Sequence, residues 1–311
     1  MPQGPGALTQ PRNTSVRRRR LFSYAGKTAV VTGAGRGIGR AIALAFARQG
    51  ADLILAARSV PELEEVAAEV RALGRNAWVV PTDMSRLDQA RNLIQEAVRL
   101  GGKIDILVNN AGGGSSIPGG VGPLEEATPE AFDAVYALNV KGPFFAALRV
   151  AEHMKARGAG GAILNIVSID GVAPAPGEAL YGSAKAALVS LTQNLAIELG
   201  RYRIRVNAIA PSLIDTRLVA RHLQTPEQRQ HRASFFPLGR VGTPEDVAYG
   251  AVYLCSDEAG WVSGITLLLA GGETDDYVPR NGELFGPALL AGMLQLLDGP
   301  HPVAMSPDGP L

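Results

Sequence analysis

Cysteine is almost absent from this 311-residue chain, and long apolar runs are missing. The single thiol, Cys255, cannot form an internal disulfide, so nothing requires an oxidising compartment and we expect a cytoplasmic location. No apolar stretch approaches the roughly 18 residues of a membrane span, and the N-terminal residues lack the apolar segment of a secretory signal. We therefore expect no membrane partner.

Histidine and net charge are also scarce. The four histidines show no paired ligand spacing, so no metal site is predicted. The net charge of +1 gives no general reason to expect nucleic acid as a partner. Binding of nucleic acid through Arg17–Arg20 remains an alternative, and it predicts strongly salt-dependent binding that is lost on deletion of residues 1–24.

The chain divides into three parts. Residues 1–25 are rich in proline, glycine and arginine and have no periodicity, which predicts a flexible basic tail, with a targeting peptide as the alternative. Residues 26–272 are predicted to form one dinucleotide-binding catalytic domain. Residues 273–311 form a C-terminal extension broken by prolines, in which only the apolar stretch 288–297 resembles a helix.

Short β-branched or aliphatic runs alternate with longer alanine- and leucine-rich stretches of helical spacing, a pattern typical of a parallel sheet. The predicted strands are 28–32, 52–56, 77–81, 104–109, 162–168, 204–209 and 265–269. The predicted helices are 37–49, 60–73, 87–100, 129–157, 180–199 and 244–256. This order predicts an α/β fold, a single doubly wound Rossmann-type domain with a seven-stranded parallel sheet flanked by helices.

A glycine-rich turn, Thr32-Gly33-Ala34-Gly35-Arg36-Gly37-Ile38-Gly39, follows the first strand and opens a helix. This is the context that a dinucleotide site needs, because glycines allow a sharp turn and a close approach of backbone amides to the pyrophosphate. The alternative is an ordinary strand-to-helix turn in a chain of 37 glycines.

The end of the second strand carries Arg58 where an acid would accept hydrogen bonds from the adenosine ribose. Arg58 and Arg36 together favour binding of a 2′-phosphate, so we expect NADP(H) to be preferred over NAD(H). The alternative is that both arginines are solvated surface groups.

A tyrosine and a lysine, Tyr181 and Lys185, are spaced i and i+4 and therefore share one face of a helix. Thirteen residues earlier, Ser168 ends a strand at the carboxyl edge of the sheet, where parallel α/β sheets bind ligands. Asn139 interrupts an apolar helix, and a buried amide there needs partners. A surface tyrosine–lysine pair and a structural role for Asn139 remain open at this point.

Taken together, these motifs resemble the short-chain dehydrogenase/reductase family over about residues 26–272, in particular its NADP-dependent 3-oxoacyl reductases. The landmarks are the glycine turn, Asp83, Asn109-Asn110-Ala111-Gly112, Asn139, Ser168, Tyr181 with Lys185, and Asn207 leading into Pro211. The resemblance implies a catalytic tetrad of Asn139, Ser168, Tyr181 and Lys185. It implies cofactor contacts from Gly33, Gly35, Arg36, Gly37, Ile38, Gly39, Arg58, Asp83, Met84, Asn110, Ala111, Gly112, Tyr181, Lys185, Pro211, Ile214 and Thr216.

The expected reaction moves a hydride between NADP(H) and a ketone or secondary alcohol, with Tyr181 as acid and base. A phenol has a pKa of about 10, so neutral operation needs about 4 kcal/mol of phenolate stabilisation, which Lys185 and the oxidised nicotinamide can supply. The alternatives are an enoyl thioester reductase and a non-catalytic cofactor-binding protein. The expected partner is a small carbonyl or alcohol substrate.

Further expectations follow from the resemblance. It implies a homotetramer and a mobile substrate lid over residues 213–240. The arginines of that segment are either solvated or attract an anionic substrate: Arg217, Arg221, Arg229, Arg232 and Arg240. Ser212 and Ala270 depart from the residues usual in the family.

Overall fold

The computed structural model describes residues 21–220 and 223–273. Residues 1–20 of the expected tail, Arg221, the stretch 288–297 and the rest of the extension after residue 273 lie outside the described residues. All other predicted site residues lie inside them. Residues 21–25 of that expected tail pack on the domain: Tyr24 is fully buried and its hydroxyl donates to the carbonyl of Val252.

A sheet of seven parallel strands forms the centre of the described chain. Its strands are β1 Thr28–Thr32, β2 Asp52–Ala57, β3 Ala77–Pro81, β4 Ile106–Asn109, β5 Gly161–Ile166, β6 Ile204–Pro211 and β7 Thr266–Leu269. The strand order is β3-β2-β1-β4-β5-β6-β7, so the direction of winding reverses between β1 and β4. Ligands of such sheets bind at this reversal, beyond the carboxyl ends of the strands. The predicted fold is confirmed.

Helices cover both faces of the sheet. Their bounds are α1 Gly37–Arg48, α2 Val60–Ala72, α3 Leu87–Gly101, α4 Pro129–Tyr136, α5 Gly142–Arg157, α6 Ala179–Leu199, α7 Pro226–Ala233 and α8 Pro244–Cys255. One buried cluster joins α1, α2 and α8 to the sheet, and the other joins α3, α5 and α6 to the opposite face. The five inner strands, β1, β2, β4, β5 and β6, are buried on both sides, which explains their continuous apolar sequences. No helix in the described ranges is long and apolar enough to cross a membrane.

Three helices, α4, α7 and α8, begin with the same Thr-Pro-Glu sequence. In each case the threonine is the N-cap and accepts a hydrogen bond from a backbone N–H of the first turn. Proline suits the next position because it has no N–H to satisfy and its φ is already helical. The sequence prediction missed α7 even though Thr225 and Gln228 form a capping box at its start.

The long helix expected over residues 129–157 is interrupted. The segment Ala137–Lys141 is a wide π-helical turn between α4 and α5, with buried Asn139 at its centre. Such turns are frequent at functional sites. A single helix was therefore the wrong prediction, because apolar spacing alone does not distinguish a wide turn from a regular one.

Candidate active site

The glycine turn after β1 requires glycine at specific positions. Gly33 and Gly37 have φ values of +64° and +53°, in the left-handed region that other residues rarely adopt. A Cβ at Gly39 would collide with the carbonyl of Gly33 and lie 2.5 Å from Nδ2 of Asn110. Gly39 therefore allows α1 to pack directly against the turn. Gly35 lies against Glu62, and Ile38 packs against the core.

The amino end of α1 leaves its first backbone N–H groups without a side-chain cap. Its N-cap, Arg36, makes no side-chain capping hydrogen bond, and its first turn contains no acidic residue. The backbone N–H groups of a helix start and the helix dipole together attract anions. The turn and this helix end therefore form a cradle suited to a phosphate group.

The loop after β4 supports the turn from the side. Nδ2 of Asn110 donates to the carbonyl of Thr32 at 2.9 Å, and the N–H groups of Asn110 and Ala111 donate to the Thr32 hydroxyl at 2.9 and 3.0 Å. Asn109 points elsewhere, since its Nδ2 donates to Asn165 at 2.9 Å inside the core. Asn110 and Ala111 thus hold the loop beside the cradle, whereas Asn109 is structural.

Basic and acidic groups meet beside the ends of β1 and β2. Arg36 and Arg217 both approach Oε1 of Glu62, at 3.4 and 3.6 Å. Arg58 is exposed. This surface therefore combines two arginines already facing an acid with a third, Arg58, at the end of β2.

Asp83 lies after β3 and forms part of a turn. Its carboxylate accepts from the N–H and hydroxyl of Ser85 at 2.9 and 2.7 Å. Burial raises the pKa of Asp83, but the bonds from Ser85 and the charges of Arg58 and Arg86 outweigh it and hold that pKa below its usual range. Met84 is buried next to it.

Asn139 is anchored by three hydrogen bonds. Its Nδ2 donates to the carbonyls of Val135 at 2.9 Å and Gly113 at 3.0 Å, and its Oδ1 accepts from the N–H of Gly113 at 3.0 Å. A Cβ at Gly112 would lie 2.7 Å from Oδ1 of Asn139 and 2.9 Å from Nζ of Lys185. Gly112 therefore permits the amide and the ammonium to converge on the same point of the loop.

Lys185 and Tyr181 project from α6 towards the end of β5. Nζ of Lys185 is buried and donates to the carbonyl of Ile166 at 3.0 Å. It lies 5.5 Å from the centre of the Tyr181 ring. Burial lowers the pKa of Lys185 to about 8. Burial and the negative charge of Asp170 raise the pKa of Tyr181, and its hydrogen bond with Ser168 opposes that rise.

Ser168 follows β5 and caps the short 3-10 helix Ile169–Gly171. Its hydroxyl donates to Oδ2 of Asp170 at 2.8 Å. The sequence prediction did not include Asp170, although an acid two residues after a candidate catalytic serine was a readable signal. It also missed Glu273, whose carboxylate accepts from the hydroxyl of Ser212, and no local sequence pattern links those two.

The segment after β6 returns to the glycine turn. Pro211 ends β6, Ile214 bridges to Gly242, and the methyl of Thr216 lies 3.4 Å from the position a Cβ would take at Gly37. The arginines of this segment that the structure describes face protein groups. Arg217 approaches Glu62, Arg229 pairs with Asp215, Arg240 pairs with Asp246, and Arg232 lies over the Phe235 ring. This arrangement gives no support to attraction of an anionic substrate.

A family model described as Enoyl-(Acyl carrier protein) reductase matches residues 33–274. The match spans more than half of the chain and includes the glycine turn, the π-helical turn and α6. The chain belongs to the short-chain dehydrogenase/reductase family. It is an NAD(P)-dependent oxidoreductase of that family, as the resemblance implied.

Known members of the family are similar along most of their length. An uncharacterised oxidoreductase of Mycobacterium tuberculosis is 41% identical over 82% of this chain and 94% of its own. A 7α-hydroxysteroid dehydrogenase, solved in complex with NADH and 7-oxo glycochenodeoxycholic acid, is 37% identical, with a TM-score of 0.76 over 82% of this chain and 96% of its own. A structure described as a gluconate 5-dehydrogenase of Beutenbergia cavernae with bound NADP is 37% identical, with a TM-score of 0.74 over 81% of this chain and 98% of its own.

The residues of this short-chain dehydrogenase/reductase fit a nicotinamide dinucleotide. The cradle described above lies at the winding reversal between β1 and β4, has an uncapped helix start and carries no acid in the first turn of that helix. Its glycines leave room where a Cβ would collide with the protein. Both features suit a pyrophosphate.

A cavity of about 710 Å³ opens at the opposite, amino-terminal edge of the sheet. Its charged lining groups already have partners: Lys27 pairs with Asp257, and Arg205 donates to the carbonyls of Leu254 and Ser256. The candidate catalytic residues of this short-chain dehydrogenase/reductase all lie at the carboxyl edge instead.

Proposed function

We propose that this protein is an NADP(H)-dependent carbonyl reductase or secondary-alcohol dehydrogenase in which Tyr181 is the acid and base. The observation that carries the proposal is the convergence of Tyr181, Ser168 and Lys185 beside the phosphate cradle. The relatives named as a 7α-hydroxysteroid dehydrogenase and a gluconate 5-dehydrogenase support the same reaction class. We extend the proposal to the remaining predicted site residues, in the roles that the family resemblance implies.

Each side chain has a distinct task. A bound nicotinamide would supply or receive the hydride at the carbonyl carbon. In reduction, the Tyr181 hydroxyl gives its proton to the carbonyl oxygen, and in oxidation the phenolate takes that proton back. Ser168 donates to the same oxygen and orients it. Lys185 stabilises the phenolate by its charge, and Asn139 holds the Gly113 loop against the turn between α4 and α5.

The preference for NADP(H) is part of the proposal. Arg58 is exposed at the end of β2, at the position where an acid would repel a 2′-phosphate. Arg36 lies close by and would leave Glu62 to bind the phosphate. Fluorescence titration with NADPH and NADH checks this preference, and tighter binding of NADH would reject it.

The central experiment is turnover by wild type and Tyr181→Phe. NADPH oxidation is followed with butane-2,3-dione, a 7-oxo bile acid and a trans-2-enoyl thioester. We expect reduction of a ketone by wild type and a loss of at least 100-fold in Tyr181→Phe, which should still bind NADPH. Reduction of the enoyl thioester alone would favour the alternative named in the family description. Cofactor binding without any turnover would favour a non-catalytic binding protein.

We also propose a homotetramer. Large apolar side chains are exposed on several elements. They include Tyr249, Tyr253, Trp261, Ile265 and Leu268 on and around α8 and β7, and Phe132 and Ile197 on α4 and α6. Exposed apolar surface on more than one element suits the two kinds of interface in a dihedral tetramer. Light scattering should give four times the chain mass, and a stable single-chain mass would contradict this.

The proposed location is the cytoplasm, and residues 26–272 are the proposed catalytic domain. Cys255 is buried and free, and burial raises the pKa of its thiol to about 12, so it stays an unreactive packing group. The expected partner is a small carbonyl or alcohol compound. Fractionation of the source cells with an antibody to the chain tests the location.

A further inference from the structure

The hydroxyl of Ser168 already has a strong acceptor within the protein. Oγ of Ser168 lies 2.8 Å from Oδ2 of Asp170, and the backbone N–H of Asp170 donates to the same Oγ at 3.3 Å. A serine hydroxyl has one proton. When Asp170 is ionised, that proton points at the carboxylate, so it is not available to a substrate oxygen.

Asp170 lies in surroundings that favour its neutral form. Burial raises its pKa above the ordinary value, although the bond from Ser168 opposes the rise. In the described part of the chain Asp170 belongs to no ion pair. The titratable groups that interact with its charge are Tyr181 on α6 and Glu273 after β7. Glu178 and Lys185 lie near Tyr181, before and on α6. The charged residue of β6 is Arg205. Its guanidinium lies at the other end of the strand, where it donates to backbone carbonyls.

Protonation of Asp170 reverses the hydrogen bond. A neutral carboxylic acid has an O–H, which can donate to Oγ of Ser168 and leave the serine proton free to turn. The freed serine proton can then point at the substrate oxygen that lies beside Tyr181. Ionised Asp170 has the opposite effect and also raises the pKa of Tyr181 by its charge.

We propose that Asp170 is a positioning residue that sets the direction of the Ser168 hydroxyl, so that protonated Asp170 serves carbonyl reduction and ionised Asp170 withdraws Ser168 from the substrate oxygen. The inference rests on the proposed function, because it needs Ser168 to donate to the substrate. It assigns a positioning role to a carboxyl two residues after Ser168. It also makes reduction fall as the pH rises through the pKa of Asp170.

The first test observes the hydrogen bond without turnover. The full chain is labelled with [γ-13C]aspartate, and the Asp170 signal is assigned by its loss in Asp170→Asn. We expect the pKa of Asp170 to be above about 3.9 and to rise by a further half to one unit in Ser168→Ala, since the ionised form loses a donated hydrogen bond. An Asp170 pKa that is the same in wild type and Ser168→Ala would overturn the proposal.

The second test measures kcat/KM for reduction of butane-2,3-dione by NADPH between pH 4.5 and 8. In wild type we expect a fall of up to tenfold per pH unit above the Asp170 pKa, and in Asp170→Asn, whose amide donates at every pH, a flat profile. Glu273→Gln is the matched control and should keep the fall.

Two outcomes separate this inference from the proposed function. A fall that persists in Asp170→Asn contradicts the role of Asp170, even if Tyr181→Phe is inactive. Full activity of Tyr181→Phe contradicts the proposed function instead. If wild type does not reduce the diketone, the labelling experiment still tests whether the Ser168 hydroxyl donates to Asp170.

Discussion

The ammonium of Lys185 donates to the main-chain carbonyl of Ile166 at 3.0 Å, in a place where almost no solvent reaches it. This contact joins α6 to the last residue of β5. It holds a cation beside Tyr181, and burial lowers the pKa of that cation to about 8. The site therefore contains a charge that the fold does not favour.

Removal of that charge should make the protein more stable. The pKa of Lys185 is about 8 folded and about 10.5 unfolded, so the unfolded state binds more protons between these values and stability rises with pH across that window. Below pH 8 the buried charge lowers the free energy of unfolding by about 3 kcal/mol. Lys185→Met removes this cost but also removes the hydrogen bond to Ile166, which is worth about 1 kcal/mol. We expect Lys185→Met to raise the free energy of unfolding by about 1–2 kcal/mol at pH 7, because the relief of the buried charge exceeds the loss of the hydrogen bond.

Urea unfolding at pH 7 and pH 10 measures this gain. The advantage of Lys185→Met should shrink by about 2 kcal/mol at pH 10, while reductase activity is lost at both values. Lys141→Met, at an exposed position, is the control and should show no such change. A variant less stable than wild type at pH 7 would contradict the reasoning.

Gly39→Ala should disturb the cradle and the packing of α1. The added Cβ would collide with the carbonyl of Gly33 and with Asn110. We expect a loss of about 1–3 kcal/mol in the free energy of unfolding and weaker NADPH binding. Gly200→Ala is the matched control because its Cβ would meet nothing within 4 Å. Equal stability of the two variants would show that the turn adapts.

The arginines around Glu62 should control the choice of cofactor. Arg58→Ala should raise the NADPH Kd about tenfold or more and leave the NADH Kd unchanged, because it removes a charge-assisted bond to the 2′-phosphate. Glu62→Gln should lower the NADPH Kd up to about fivefold by freeing Arg36 from an exposed pair. Glu64→Gln, on the same helix but paired with Arg71, is the control. Equal changes in the Kd values of NADPH and NADH would argue against a 2′-phosphate site.

A buried amide chain should contribute strongly to stability. Nδ2 of Asn109 donates to Oδ1 of Asn165 at 2.9 Å, and Nδ2 of Asn165 donates to the Thr192 hydroxyl at 2.8 Å. Asn165→Leu would leave both neighbours short of a partner and should cost about 2–4 kcal/mol. Asn194→Leu, on the exposed face of α6, should cost far less. Chemical unfolding of the two variants compares these costs, and similar losses would refute the assignment.

The sequence predicted the sheet well because its signals are local. Each buried strand is a short apolar run, so the seven strands were found with ends within two residues of those observed. Helices with a repeating apolar face were found as well, whereas the polar α7 was not. The interruption at Ala137–Lys141 was missed because its cause is not local. Asn139 bonds to Gly113, 26 residues earlier, and that contact stabilises the wide turn.

The candidate site shows the same division. The turn from Gly33 to Gly39 and the spacing of Tyr181 and Lys185 are readable in the chain, since they depend on backbone conformation and on the 3.6-residue helical period. The partners of the charged groups are not readable. Arg36 and Arg217 meet Glu62, and Ser212 meets Glu273, only because the start of α2 and the loops after β1, β6 and β7 converge.

The sequence by itself determined the alternation of strands and helices, the phosphate cradle and the phenol–ammonium pair, because each depends on residues close together in the chain. Tertiary structure decided which hydrogen bonds and charges surround that pair. Burial at the end of β5 makes the ammonium of Lys185 unfavourable and favours the neutral form of Asp170, and burial exists only once α6, β6 and the segment after β7 have packed together.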